Sequence, residues 1–212
     1  MLFILLDEEI RYPEENSKLF KEDGTFEELA NIRDLMQEFG SYADGYQTGA
    51  IKLIDLALNT PTVGERDIMI YPIVFLMRHY CELRLKELCQ ALNYCHSQDN
   101  GFPTGHNLQY LWNLFKGKYR QIGEDTSTSE FQNIENIMLE LHAFDPMSMS
   151  FRYPVDREGN STQTLTTINL VNLRDTFIRV SFMFDGLSMQ LAHYIDITNE
   201  IISNRYEDYF GD

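Results

Sequence analysis

The chain has 212 residues, of which 43% are apolar and 13% are aromatic. This composition is enough to bury a core, so it excludes a disordered acidic tail, and the length fits one ordinary domain. The 33 acidic and 17 basic side chains give a formal net charge of −16. Such a charge argues against general binding of duplex nucleic acid, because surfaces that bind phosphate backbones collect Lys and Arg.

The negative charge is spread unevenly along the chain. Residues 41–120 carry 8 basic and 7 acidic side chains, whereas the remaining residues carry 9 basic and 26 acidic ones. We therefore expect any anionic ligand to bind within 41–120 or beside an isolated arginine such as Arg152.

The sequence contains few signals for secretion, membrane insertion or disulfide formation. The apolar run Leu2–Leu6 has no basic residues before it and is shorter than a signal-peptide core, so it predicts a tucked-in terminus. No run approaches the roughly 20 apolar residues that cross a bilayer. The three cysteines lack the Cys-x-x-Cys spacing of zinc sites, and they predict neither a disulfide framework nor a metal site. These features favour a cytoplasmic protein without membrane contact.

The first predicted elements are two helices. Apolar residues recur at steps of three and four from Phe26, which predicts a helix over 26–59 with a break allowed near Gly40 and Ser41. Residues 1–25 are then an N-terminal extension and 26–212 a single helical domain. A capping-box pattern at Thr62 and Glu65 starts the next helix, which extends to about Cys95. Because Pro72 lies inside this segment, we expect either a kink there or a helix that begins near it.

The second half of the chain predicts three more helices. A polar loop over 97–105 precedes a short amphipathic helix around 108–115, and another helix covers 129–142. Residues 148–156 predict an extended, Pro-flanked connector or a small hairpin. The last helix begins after Asn169 as its N-cap and runs to about Asn204. Its apolar residues follow a heptad seam: Leu173, Phe177, Val180, Phe184, Leu187, Leu191, Tyr194 and Thr198.

A heptad seam packs at a shallow angle on neighbouring helices, either within one bundle or across a dimer axis. The pattern contains no strand-rich region, internal repeat or domain linker. The sequence therefore predicts an all-α fold, a single up-and-down helical bundle with long central and C-terminal helices.

The central helix carries a charged face. At 100° per residue, Arg78, Glu82, Lys86 and His79 fall within an arc of about 100°. One interpretation is structural, with Glu82 and Lys86 as an i, i+4 pair and Arg78 stacked on Phe75 or paired with Glu82. The other is functional, because a partly desolvated Arg and His have perturbed chemistry.

Three short blocks give this helix a family context. Residues 78–86 read RHYCELRLK, residues 105–112 read GHNLQYLW and residues 151–156 read FRYPVD. In this order the blocks resemble those of bacterial HEPN-like helical proteins, over roughly residues 65–160. The resemblance implies a helical bundle that commonly dimerises and serves in phage defence or toxin–antitoxin systems. Many such proteins are metal-independent ribonucleases with an Arg followed by four to six residues and a His.

This chain departs from that catalytic pattern, since none of its arginines has a His five to seven positions later. A substitute site is the remaining catalytic hypothesis. In it Arg78, His79, His106 and Arg152 meet, a His moves the 2′-OH proton of RNA and an Arg stabilises charge on the phosphate. Glu82 and Lys86 then form a binding or structural face.

The first predicted function is therefore that of a HEPN-like protein of a prokaryotic defence system, which acts on RNA if it is an enzyme. The alternative is a second class of function, for which the same residues are equally suited. They could hold an anionic small ligand or fix the connector onto the bundle, in a non-catalytic ligand- or protein-binding module such as a sensor or an antitoxin-like partner. We expect a homodimer with RNA or a protein as partner. We expect no cofactor and no metal, because the chain has no Glu-x-x-His motif and no phosphate-binding loop.

Overall fold

The computed structural model describes residues 12–13, 15–32, 38–97 and 99–210, with the backbone alone for 206–210. The chain divides into two compact units, residues 1–37 and 38–212. The second unit contains five helices: α1 (Phe39–Asn59), α2 (Val63–Ser97), α3 (Leu108–Gln121), α4 (Ser129–Phe144) and α5 (Leu170–Phe210). Over the described ranges there is no strand beyond one isolated Val155–Ser161 bridge, so the all-α prediction is confirmed.

The described part of the first unit forms neither helix nor strand. It contains short turns, and in the one at 25–28 the Glu28 amide donates to the Thr25 carbonyl oxygen at 3.0 Å. The prediction of a helix from residue 26 is therefore wrong, and the first described helix begins at Phe39. The reason is burial: Phe26 is 84% and Ile32 is 91% exposed, and a short helix without a buried face is marginal in water. The predicted tucked-in terminus, Leu2–Leu6, lies outside the described residues.

The other predicted helices begin within about a residue of their expected starts, and α3 and α5 extend six residues beyond their expected ends. The Asn169 side chain accepts a hydrogen bond from the Asn172 amide at 3.0 Å, which confirms it as the N-cap of α5. Helix α2 begins at Val63 and continues through Pro72, so a start near that proline is excluded. At its N-terminus the Glu65 carboxylate accepts a hydrogen bond from the Thr60 hydroxyl.

Helix α2 is the centre of the second unit, since it packs against α1, α3 and α5, while α3 also packs on α4. The seam of α5 lies in this core; Phe177, Val180 and Phe184 are each at most 5% exposed. The heptad pattern is thus used within the chain's own bundle. Whether the helices alternate up and down stays a prediction.

The segment between α4 and α5, residues 145–169, is called the connector below. Residues 155–161 of the connector form a small hairpin turn, in which the Asp156 amide donates to the Asn160 carbonyl oxygen at 2.9 Å. The predicted alternatives for 148–156 were an extended connector and a small hairpin. The structure has the hairpin, at 155–161 and therefore closer to the C-terminus than predicted. A search of the described residues found no helix that combines the length and apolar character needed to cross a membrane.

Candidate functional site

The middle of α2 places Arg78 at the centre of a buried charge cluster. Arg78 is 0% exposed, and each of its three guanidinium nitrogens has a partner. Nε donates to the Asp145 carbonyl oxygen at 3.1 Å, Nη1 to Glu82 Oε2 at 3.2 Å and Nη2 to the His106 carbonyl oxygen at 2.6 Å. One guanidinium therefore joins α2 to the end of α4 and to the loop before α3.

Glu82 is the shared acceptor of this cluster. It is 1% exposed, and its Oε1 accepts from Lys86 Nζ at 2.9 Å and contacts Nδ1 of His106 at 2.8 Å. Burial alone would raise the pKa of this carboxyl group, but the hydrogen bonds from Lys86 and His106 outweigh burial and lower the pKa. The ionised carboxylate is thus stable in the interior because three donors surround it.

Asp145 also belongs to this group of charged residues, and it was not predicted from the sequence. Its Oδ2 lies 3.3 Å from Nε of Arg78, and its Oδ1 accepts from the Met149 and Ser150 amides at 2.6 and 2.9 Å. The Asp-Pro pair after an apolar helix is a turn signal that could have marked this residue. Asp145 fixes the start of the connector, in which the buried Ser148 adopts a φ of 59°.

We call Arg78, Glu82, Lys86, His106 and Asp145 the charge cluster. Its two cations face two carboxylates, so it carries no net charge while His106 is neutral. All three guanidinium nitrogens and the Lys86 ammonium bind acceptors of the chain itself. The member of the charge cluster that a ligand can still contact is His106, because its side chain is 63% exposed.

The tautomer of His106 follows from its neighbour. An ionised carboxylate only accepts hydrogen bonds, so Nδ1 carries the hydrogen that Glu82 receives. In the neutral ring the lone pair is then on Nε2, as in a histidine oriented by a carboxylate to act as a base.

His79 and Arg152 lie in an adjoining aromatic stack instead of in the charge cluster. The His79 ring is stacked on Phe75 with centroids 5.8 Å apart and meets the edge of Tyr46 at 4.4 Å. Desolvation is the main cause that lowers the pKa of His79. The Arg152 guanidinium lies over Phe75 at 5.6 Å, and its Nε donates to the Ser148 carbonyl oxygen.

The six predicted site residues are thus divided into two groups. Arg78, Glu82, Lys86 and His106 meet directly, whereas His79 and Arg152 share contacts with Phe75. Of the two arginines in the catalytic hypothesis, Arg78 is 0% exposed. The other, Arg152, is exposed and donates to the Ser148 carbonyl oxygen within the connector.

A cavity of about 260 Å³ lies on another side of α2, between α2, α4, the connector and the first half of α5. Its lining is mainly apolar, and includes Val74, Met77, Cys81, Ile137, Leu141, Phe144, Phe151, Leu165, Ile168, Leu173, Phe177 and Val180. Burial raises the pKa of the Cys81 thiol to about 12, which agrees with a wall of low polarity. None of the six predicted site residues lines this cavity.

A second cavity of about 480 Å³ adjoins the first and is more polar. The two share Phe151, Leu165, Thr167 and Ile168, and the second adds Arg66 and Asp67 of α2. Sequence reasoning missed both cavities, because their walls come from segments up to a hundred residues apart and no local motif marks an unfilled volume.

In the described part of the chain, no three His, Cys, Asp or Glu side chains lie close enough together to bind a metal ion. The described cysteines Cys81, Cys89 and Cys95 are free thiols. Comparison with known proteins found no matching family model, no matching curated protein and no matching solved structure.

Proposed function

We propose that this protein is a non-catalytic helical binding module whose ligand occupies the 260 Å³ cavity between α2, α4, the connector and α5. The observation that carries the proposal is the cavity itself, which apolar side chains from three helices and the connector surround. Small-molecule sites are concave, mostly apolar and few in number per protein.

The size of the cavity supports a small ligand. An apolar cavity of about 150 Å³ already accommodates benzene. The cavity here, at about 260 Å³, has room for a ligand of about ten non-hydrogen atoms.

The charge cluster supports the non-catalytic class. Arg78 is 0% exposed and each of its three nitrogens donates to an acceptor of the chain itself, so its guanidinium is not accessible for stabilising a developing charge on a substrate. In this proposal the charge cluster holds α2, the start of α3 and the start of the connector together, and the connector forms part of the cavity wall.

A HEPN-like ribonuclease of a cytoplasmic defence system is the second candidate. One observation favours it: the exposed imidazole of His106 is oriented by the buried Glu82, as a general base needs to be. In this candidate function Arg152, an exposed cation near the start of the connector, contacts an RNA phosphate.

The proposed homodimer needs a surface other than the seam of α5, because Phe177, Phe184 and Leu191 are buried inside the chain. The opposite face of α5 exposes Phe182 at 80% and Met189 at 76%. Molar mass in solution for wild type and Phe182→Glu tests this assignment: a dimer that Phe182→Glu dissociates supports it, and a monomeric wild type contradicts it.

The proposed function is tested by calorimetric titration with n-octanol. We expect saturable binding to wild type and at least about tenfold weaker binding to Thr176→Phe, because the new ring fills space that Thr176 leaves at the wall. Thr48→Phe is the matched control, since Thr48 is exposed on α1 and does not line the cavity. Absence of saturable binding by wild type, or equal binding by Thr176→Phe, would contradict the proposal.

The second candidate is tested by incubating RNA with wild type and His106→Ala in buffer that contains EDTA. Cleavage by wild type that His106→Ala abolishes would favour the ribonuclease. Intact RNA in both reactions would remove it.

A further inference from the structure

We infer that the ligand of the 260 Å³ cavity has a positively charged amino head group on an apolar body. This inference rests on the proposed binding function and adds the chemical class of the ligand. It follows from how polar groups are distributed between the interior and the mouth of the cavity.

The interior of the cavity offers no charged partner. Its most buried lining residues include Met77 and Cys81 of α2 with Phe177 and Val180 of α5, all at most 5% exposed. These groups solvate an aliphatic or aromatic body through dispersion and burial of apolar surface. A charged head group placed there would lose its hydration without a partner, so it must remain at the mouth.

The mouth of the cavity is polar and carries a single sign of charge. The exposed lining residues there include Glu140 of α4, Asn169, Asn172 and Thr167. Among the described residues that line the cavity, Glu140 is the one with a charged side chain. An ammonium group at the mouth would pair with this carboxylate, whereas a carboxylate head group would be repelled by it.

The charge of the second unit acts in the same direction. Residues 38–212 carry 13 basic and 23 acidic side chains, and this excess of acids attracts cations to the mouth of a cleft and repels anions. Among the described residues that line the two cavities, Arg66 is the one whose charge opposes this inference, and it lines the adjoining cavity beyond the shared wall of Phe151 and Leu165. Asp67 lines that same cavity and offsets its charge.

The inference is tested with three probes that have the same eight-carbon chain: n-octylammonium, n-octanol and n-octanoate. Each is titrated calorimetrically into wild type, Glu140→Gln and Glu200→Gln at pH 7 and low ionic strength. Glu200→Gln is the matched control, because it removes the same charge from an exposed site on α5 outside the cavity.

We expect n-octylammonium to bind wild type about five times more tightly than n-octanoate, with n-octanol between them. Glu140→Gln should weaken n-octylammonium binding about threefold and leave n-octanol unchanged, while Glu200→Gln should change neither. Equal or tighter binding of n-octanoate by wild type would overturn the inference, as would a Glu140→Gln variant that keeps the full preference for n-octylammonium.

A further variant separates the two cavities. If n-octanoate binds best and Arg66→Gln removes that preference, the head group lies in the adjoining cavity and the inference is wrong. Binding of n-octanol alone, with no preference between the two charged probes, overturns the head-group inference but leaves the proposed function standing. Failure of all three probes to bind contradicts both.

Discussion

Two faces of the same helix, α2, differ in charge and in packing. On one face Arg78, Glu82 and Lys86 are charged and buried, and every charge has a partner at hydrogen-bond distance. On the other, Val74 and Met77 are apolar and border an unfilled volume of about 260 Å³. The face that is conspicuous in the sequence is buried and paired within the chain, and the face without a motif is the one that has room for a ligand.

A set of charged residues at helical spacing is therefore weak evidence for a site until its partners are known. A buried ion pair adds little net stability compared with an apolar pair of the same shape, but removing one partner is costly. Substitutions in the charge cluster should therefore lower the free energy of unfolding and leave ligand affinity unchanged. Substitutions in the cavity wall should lower ligand affinity with little effect on stability.

The largest expected effect is the loss of stability in Glu82→Gln. The substitution keeps the shape of the side chain but leaves Arg78 and Lys86 buried without their shared carboxylate. We expect the free energy of unfolding, measured with urea, to fall by about 3–5 kcal/mol.

The control for Glu82→Gln is Glu87→Gln on the same helix. Glu87 pairs with Arg84, but its side chain is 27% exposed, and Arg84 also contacts Asp44 and Asp185. The cost here should stay below about 1 kcal/mol. Equal losses in the two variants would show that the burial of the charge cluster has no energetic consequence.

The next largest effect concerns the link between the charge cluster and the cavity wall. Asp145→Ala removes two hydrogen bonds to the Met149 and Ser150 amides and the ion pair with Arg78. We expect a loss of about 2–3 kcal/mol in the free energy of unfolding.

Asp156→Ala is the matched control for Asp145→Ala, because Asp156 also accepts from two backbone amides, those of Glu158 and Asn160. Asp156 is exposed, so water can replace its hydrogen bonds and the loss should be about 1 kcal/mol or less. A smaller loss for Asp145→Ala than for Asp156→Ala would break the contrast between buried and exposed acids.

The smallest effect is a pH dependence at His79. The pKa of His79 is lowered by desolvation from its ordinary value of 6.5, so the unfolded chain binds the proton more readily than the folded one. The contribution to stability is therefore complete above pH 6.5 and is lost as the pH falls through the lowered value. In urea unfolding between pH 7 and 5, wild type should lose more stability than His79→Gln, and parallel pH profiles would contradict this.

The sequence predicted most of the fold because helical periodicity and caps are local. Asn169 caps α5, and the predicted starts of α2–α5 agree with the observed ones to within about a residue, whereas α3 and α5 extend six residues beyond their predicted ends. The failure at residues 26–32 has the same origin. Local spacing marks a face that could be buried, but it does not show whether other elements are present to bury it.

The candidate site was predictable only in part. Spacing alone brought Arg78, Glu82 and Lys86 onto one face. The contact of Glu82 with His106 depends on chain folding over 24 residues, and the contact of Arg78 with Asp145 spans 67. The complete burial of this face could not be predicted, because it is tolerated only through those distant partners.

We propose that the cavity binds the ligand and that the charge cluster is structural. The decisive measurement is the affinity for n-octanol of wild type, His106→Ala and Thr176→Phe, determined by calorimetry on proteins confirmed to be folded. We expect His106→Ala to bind within about twofold of wild type and Thr176→Phe to lose at least about tenfold. Tight binding by Thr176→Phe together with loss of binding by His106→Ala would contradict it.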